Sequence, residues 1–313
     1  MKARESSAGP LAGDSKTRAA AGKPQHVGGL KVELMIGLLA PGLYVTATPI
    51  GNARDVTLRA LDVLKAVDLI VAEDTRVTAK LLAIHGISKP LSAYNDHNAA
   101  KERPRLLAKL QGGARIALVS DAGTPLVSDP GFKLVRAAIE ARLPVHAVPG
   151  ASAALTGLVL SGLPSDRFLF AGFLPPKSGE RQTALEELKP IRATLIFFES
   201  GPRLAESLHQ MADTFGPRSA AVAREMTKLH EEVRRGTLDE LARAYAGLSA
   251  PKGEVTLLVS PPHAEQVDYA AMDRALDAAL AFMPLKPAAE LIADLTGASR
   301  KEVYARGLEK KNA

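Results

Sequence analysis

Apolar residues recur along this chain in two alternating rhythms, a short continuous run and then a stripe at helical spacing. Leu43–Thr48 reads as a strand, Thr57–Ala66 as a helix with Leu58, Leu61 and Leu64 on one face, and Asp68–Ala72 as a second strand. A helix follows over Thr75–His85, with Asp74 placed to cap its start and Gly86 to end it. A short strand near Leu91–Tyr94 precedes a helix ending at Leu110, where Pro104 predicts a late start or a kink. Arg115–Ser120, Gly131–Ala141 and Pro144–Val148 then read as strand, helix and strand. Strands that alternate with helices predict a mainly parallel sheet covered on both faces.

After the helix Ala151–Ser161 the pattern restarts. Strands are expected at Arg167–Phe173, Ala193–Phe198, Ser219–Ala223 and Glu254–Ser260, and helices at Arg181–Leu188, Pro202–Phe215 and Leu238–Ala246. The charge-dense stretch Lys228–Arg235 reads as a paired edge strand. From about Tyr269 come three short helical patterns, Ala270–Phe282, Pro287–Leu295 and Arg300–Lys310, with Gly297 breaking the last two apart and Ser299 able to cap the third. Two helices joined by a tight glycine turn have the spacing of a helix-turn-helix. The expected organisation is a disordered extension over 1–41, α/β domains over 42–150 and 151–262, and a helical tail over 263–313.

Composition narrows the chemistry. A chain of 313 residues, 46% hydrophobic, can bury more than one core. It has no cysteine, which removes disulfides, thiolate metal sites and cysteine nucleophiles and fits a reducing cytoplasm. The net charge of +6 suits a polyanionic partner, though charge of this size also serves solubility alone. The first 41 residues carry six Lys/Arg against three acids, and the stretch Met1–Gln25 has no apolar centre, so no signal peptide is read there. The longest charge-free run, Ala147–Ser165, is broken by Pro149 and Pro164 and is not read as a membrane span. No G-x-G spacing, P-loop, G-x-S-x-G elbow, kinase signature or persuasive metal-ligand spacing occurs. Five segments remain at expected strand ends: Thr48–Asn52, Glu73–Arg76, Ser120–Pro125, Ser128–Gly131 and Pro149–Ala153. Each is rich in small residues, Pro, Ser, Thr and Asp, which let a ligand approach the backbone closely. Any one of them alone reads more readily as a turn than as a binding loop.

The strings TPIGNARDVTLRAL, AEDTR, YNDHN, ALVSDAGTPLVSDPG, VPGASAA, GLPSDRF, GFLPPKSGER, FFESGPRL, AREMTKLHEEVRRG and KGEV run in unbroken order from Leu43 to Pro262. Together they closely resemble the ribosomal RNA cytidine 2′-O-methyltransferases of the tetrapyrrole-methylase (class III methyltransferase) fold, and the tail resembles their small helical C-terminal module. The resemblance implies a cytoplasmic homodimer of two-domain α/β chains that uses S-adenosylmethionine to methylate a cytidine ribose of 16S ribosomal RNA, naked or in the assembled small subunit. It further implies that Pro49, the turn Asp121-Ala122-Gly123-Thr124-Pro125, and Ser152-Ala153 cradle the cofactor, and that the second domain contributes Glu199, Ala223 and Gly253. Ala151 departs from the family pattern, in which proline is common, and so predicts a less rigid loop.

Transfer to a hydroxyl needs alignment, exclusion of water and a group that takes or orients one proton. Glu225 with Lys228 is the preferred pair, with Asp74 a further candidate that equally suits a helix cap. Arg76, Arg203 and Arg224 are expected as phosphate anchors. Tyr94, His97 and Asn98 are expected to form a polar cluster able to meet a flipped base. Two rivals remain open at this level: methylation of a corrin or porphyrin precursor, and RNA binding without catalysis.

Overall fold

The computed structural model describes residues 25–27, 30–32, 39–127, 131–251, 253–262 and 269–312. The chain divides into two compact units, Met1–Thr156 with Glu225–Glu231, and Gly157–Arg224 with Glu232–Ala313. Within the extension expected to lack structure at least as far as His26, β1 (Gln25–Val27) pairs antiparallel with β2 (Leu30–Val32), so order begins earlier than composition implied.

The first unit is built on a five-stranded sheet of β3 (Gly42–Thr46), β4 (Leu69–Ala72), β5 (Leu91–Ala93), β6 (Arg115–Val119) and β7 (Val145–Val148). Its order is β5-β4-β6-β3-β7 and every pairing is parallel. Both faces are covered, which is why β6 is apolar at consecutive positions. Ile116 and Leu118 pack with Leu106, Leu110 and Leu134 on one side, and Ala117 and Val119 with Val63, Leu64 and Leu82 on the other.

The helices that cover these faces are α1 (Leu58–Ala66), α2 (Thr75–Ile84), α3 (Ala99–Gln111) and α4 (Phe132–Glu140). Thr57 caps α1 through the Ala60 N–H, and Asp74 caps α2 through the Arg76 N–H. Pro104 lies inside α3 and neither delays its start nor ends it. The helix forgoes one ladder bond, to the exposed Ala100, and retains its buried anchors Leu106 and Leu110. Helix α5 (Ala153–Ser161) follows β7.

The second unit holds β8 (Phe168–Phe173), β9 (Thr194–Ser200), β10 (Ser219–Arg224), β11 (Glu232–Thr237) and β12 (Glu254–Val259), in the order β11-β10-β12-β9-β8. Only β8 and β9 pair in parallel, with a bulge between Phe170 and Gly172. Of the stretch expected as an edge strand, only Glu232 onward pairs. Helices α6 (Ser178–Leu188), α7 (Leu204–Phe215) and α8 (Leu238–Ala246) bury Leu185, Leu208, Met211, Leu241 and Tyr245 against Leu195, Phe197, Val222, Leu257 and Val259. On the opposite face Gly157 of α5 admits Thr256, whose methyl would lie 3.0 Å from an added Cβ.

The tail forms α9 (Tyr269–Leu280), α10 (Leu285–Thr296) and α11 (Arg300–Asn312) around its own cluster of Met272, Leu276, Ala288, Ile292 and Val303. Gly297 ends α10 at φ 70°, and the Ser299 hydroxyl accepts from the Glu302 N–H. No helix among the described residues is long and apolar enough to cross a membrane.

Candidate functional site

The carboxyl ends of β3, β4, β6 and β7 lie along one edge of the first sheet, and their loops are tied to one another by backbone bonds. The Thr48 N–H donates to the Gly123 carbonyl at 2.8 Å and the Gly123 N–H donates back at 3.1 Å. The Thr48 hydroxyl donates to the Ser120 carbonyl, and the Thr124 hydroxyl to the Ala151 carbonyl, both at 3.1 Å. The last bond holds the loop that the alanine was expected to loosen. Pro49 and Pro125 are buried beneath these loops. Gly123 takes φ +78°, and an added Cβ would lie 3.2 Å from Ile50 and 3.5 Å from the Ala151 carbonyl. The neighbouring Leu126 is held at φ 76°, a strained position for a side-chain-bearing residue. The peptide N–H groups of Asp121, Ala122 and Thr124 have no acceptor among the described residues. Ser152 begins α5, its carbonyl accepting from Thr156 and its hydroxyl from the Leu155 N–H at 3.5 Å, with Ala153 as the first helical residue. The result is a rim of small residues with open donors, bordered by the Asp121 carboxylate, which fits a ligand that offers acceptors to the backbone. Of the five segments, Ser128–Pro130 lies outside the described residues.

Asp74 sits at this edge. Its N–H donates to the Asp121 carboxylate at 3.0 Å, while its own carboxylate accepts from the Arg76 backbone at 2.8 Å and pairs with the Arg76 guanidinium at 2.5 Å. The Arg76 side chain and then its backbone hold the Asp74 carboxyl at about 2. That makes it a weak proton acceptor and a strong cap.

The segment Glu225–Glu231, which joins β10 to β11, belongs to the first unit and lies on the Gly51–Asn52 loop. The Asn52 N–H donates to the Thr227 hydroxyl at 3.1 Å, and the Thr227 N–H donates to the Glu231 carboxylate at 2.7 Å. Glu225 and Thr227 both adopt left-handed backbone, φ 49° and 67°, the latter a rare state for a β-branched residue. The Lys228 ammonium donates to the Glu225 carboxylate at 2.9 Å, so the two residues expected as a pair do meet. The lysine stem passes so close to Gly51 that a Cβ there would lie 2.7 Å from its Cγ. Sequence reading missed Gly51, Asn52, Thr227 and Glu231 as supports of this pair, and nothing in the sequence marks a threonine for positive φ.

In the second unit Glu199, Ala223 and Gly253 gather at one end of three neighbouring strands, with Val255 opposite Glu199 and Thr256 opposite Ala223. The Glu199 carboxylate is fully buried. It accepts from the Ser200 N–H at 2.8 Å, the Ser207 hydroxyl at 2.6 Å and the Arg203 guanidinium at 3.0 Å. Arg203 also donates to the Leu174 carbonyl at 2.7 Å. This corrects its expected role as a phosphate anchor, because the guanidinium is turned inward to neutralise a buried carboxylate. Arg224 pairs with Glu232 at 2.5 Å. Of the three expected anchors only Arg76, with a largely exposed side chain, remains able to swing to a phosphate.

The base-recognition cluster is likewise divided. Tyr94 is 1% exposed and belongs to the core, so it cannot stack on a base. Asn98 spends its side chain on the chain itself, accepting from the Asn95 N–H and donating to the Ala93 carbonyl. His97 alone of the three is exposed. The final fourteen residues hold five Lys/Arg against two Glu, but three of these cations are paired in space. Arg306 pairs with Asp273, Lys310 with Asp277, and Arg300 with Asp294, and residues 266–311 hold seven bases against seven acids.

Two family models match the chain in order: Tetrapyrrole (Corrin/Porphyrin) Methylases over residues 42–242, and the RsmI C-terminal HTH domain over 266–311. A ribosomal RNA small subunit methyltransferase I from Mesorhizobium japonicum is 52% identical, covering 88% of this chain and 94% of its own length. The protein of the same name from Escherichia coli O157:H7 is 46% identical over 86% of this chain and 95% of its own. Among solved structures, a uroporphyrin-III-C-methyltransferase from Thermus thermophilus shares the fold, with a TM-score of 0.52 at 24% identity over 70% of this chain and 94% of that one. The chain belongs to the tetrapyrrole methylase family and, within it, groups with the ribosomal RNA small subunit methyltransferase I proteins.

Proposed function

We propose that this chain transfers the methyl group of S-adenosylmethionine to the 2′-hydroxyl of a cytidine ribose in small-subunit ribosomal RNA. The observation that carries the reading is 52% identity to a ribosomal RNA small subunit methyltransferase I over 88% of the chain, with both family models matched in order. S-adenosylmethionine would supply a methyl group already activated on a sulfonium. The open N–H groups of Asp121, Ala122 and Thr124, the Gly123 turn and the start of α5 at Ser152-Ala153 suit its polar edges, with Pro49 and Pro125 stiffening the rim. Glu199, Ala223 and Gly253 are the second unit's proposed contribution.

The protein's remaining task is the proton of the ribose hydroxyl. Glu225 accepts or orients that proton, and Lys228, 2.9 Å from it, offsets the negative charge that develops on the ribose oxygen as the proton leaves and before the methyl group is taken up. Asp74 serves by capping α2 and by tethering Asp121, which fixes the rim rather than moving a proton. Arg76 and His97 are the exposed groups offered to the RNA, and a homodimer is the proposed assembly.

The test is to incubate the protein with methyl-labelled S-adenosylmethionine and small subunits from a strain lacking it, then digest the RNA to nucleosides. Label in 2′-O-methylcytidine is expected. Label on a base, or transfer only to a macrocyclic tetrapyrrole precursor, overturns the reading in favour of the family's other chemistry.

A further inference from the structure

Two of the expected phosphate anchors, Arg203 and Arg224, are paired with carboxylates, as are Arg300, Arg306 and Lys310 of the tail. A different pair is free. At the amino ends of β8 and β9 a cavity of about 480 Å³ is lined by Asp166, Arg167, Phe168, Leu169, Ile191, Arg192 and Ala193. Neither Arg167 nor Arg192 pairs with Asp166 or with any other carboxylate among the described residues. The Phe168 side chain is 46% exposed, although β8 could have buried it. The backbone beneath is fixed: the Thr194 N–H donates to the Arg167 carbonyl at 2.9 Å, its hydroxyl donates to the Pro164 carbonyl, and the Ala193 N–H donates to the Ile191 carbonyl.

We propose that this cavity is an RNA-anchoring site that takes one nucleotide of the substrate strand, with its phosphates on Arg167 and Arg192 and its base against Phe168. The chemistry is that of single-stranded nucleic acid, in which guanidinium groups follow the backbone and an aromatic face stacks with any base. The volume matches a site for a ligand of nucleotide size. Leu169, Ile191 and Ala193 give the base an apolar floor. The site stands at the opposite end of β9 from Glu199, about 20 Å away at the usual rise per residue. It therefore stands clear of Glu199, and its loss is expected to act on substrate affinity rather than on the transfer step.

The inference rests on RNA being the substrate, so the experiment reports on both. Binding of a 16S ribosomal RNA transcript is measured across salt concentrations for the wild type and for the Arg167→Ala/Arg192→Ala variant, alongside methyl transfer to small subunits. Each lost phosphate contact removes about 0.7–0.9 from the slope of log K against log salt, so the double variant should be shallower by about 1.5. KM for subunits should rise about tenfold while kcat at saturation holds, consistent with the loss of two charge-assisted contacts. Phe168→Ser should weaken binding without changing the slope. A double variant with the wild-type melting temperature, salt slope and KM overturns the site while the wild type still methylates RNA. A wild type that methylates no RNA fails the functional reading instead. Cytidine monophosphate binding that depends on both arginines, with an unchanged RNA slope, assigns the cavity to free nucleotides and also overturns the anchor.

Discussion

Gly51→Ala separates the proposed catalytic pair, Glu225 and Lys228, from the fold that carries it. Gly51 does not need left-handed backbone, so alanine is tolerated locally; what it lacks is room. Its Cβ would stand 2.7 Å from Lys228 Cγ, 2.9 Å from Cε and 3.0 Å from the Met226 carbonyl oxygen. Carbon atoms settle about 3.5–4.0 Å apart, so the lysine stem must retreat by about 1 Å. The ammonium then leaves the Glu225 oxygen that it meets at 2.9 Å. Both side chains are partly exposed, 43% and 28%, so losing the pair costs about 1 kcal/mol of stability or less. A displacement of about 1 Å at a reacting group, by contrast, costs roughly 100-fold in rate, or about 2.7 kcal/mol of transition-state stabilisation. Single-turnover methyl transfer at saturating cofactor and subunits should therefore fall about 100-fold, with a melting temperature within a few degrees of the wild type. A Gly51→Ala enzyme with the wild-type rate, or a Lys228→Met enzyme with it, would refute the assignment of this pair.

Three further outcomes are expected. Glu199→Ala leaves the buried Ser207 and the part-buried Arg203 without their carboxylate and should destabilise the protein by about 3 kcal/mol in urea unfolding. The Arg115 side chain and backbone hold the Asp68 carboxyl at about 2, below the usual value of about 4. Its stabilising effect is thus complete above about pH 4 and lost as the pH falls through about 2. The acid-side drop in melting temperature should be shallower in Asp68→Asn, by a small amount because the group is half exposed. Truncation after Pro262 removes a module with its own core and should keep cofactor affinity while lowering activity at limiting subunits and not at saturation. Equal activity at low substrate would make the tail a stabilising appendage.

What could be read ahead depended on how local its cause was. The Asp74 cap was legible because an N-cap needs only the next turn of chain, and the ends of α1, α2 and α10 were legible for the same reason. The strand-end loops were legible because proline restricts the backbone and glycine frees it wherever they occur. Arg203 misled, although its partner is only four residues away. Whether that carboxylate faces the core or the solvent depends on the sheet that buries Glu199. Tyr94 misled because a tyrosine beside His97 and Asn98 resembles a polar cluster until α3 and α4 close over it. The pairing of the tail's cations was not legible, because acids on α9 and α10 reach bases on α11 only once the three helices pack.

The sequence by itself determined the alternation of strands and helices, the parallel first sheet, the helical tail and the family, since periodicity, caps and ordered motifs are properties of the chain before it folds. Only the tertiary structure decided that the segment after β10 lies on the Gly51–Asn52 loop, and that Thr227 and Glu231 hold it there. It also decided which arginines are free. Pairing between residues distant in sequence is settled by which surfaces become buried together. That is a cooperative outcome of packing, which no local pattern of residues records.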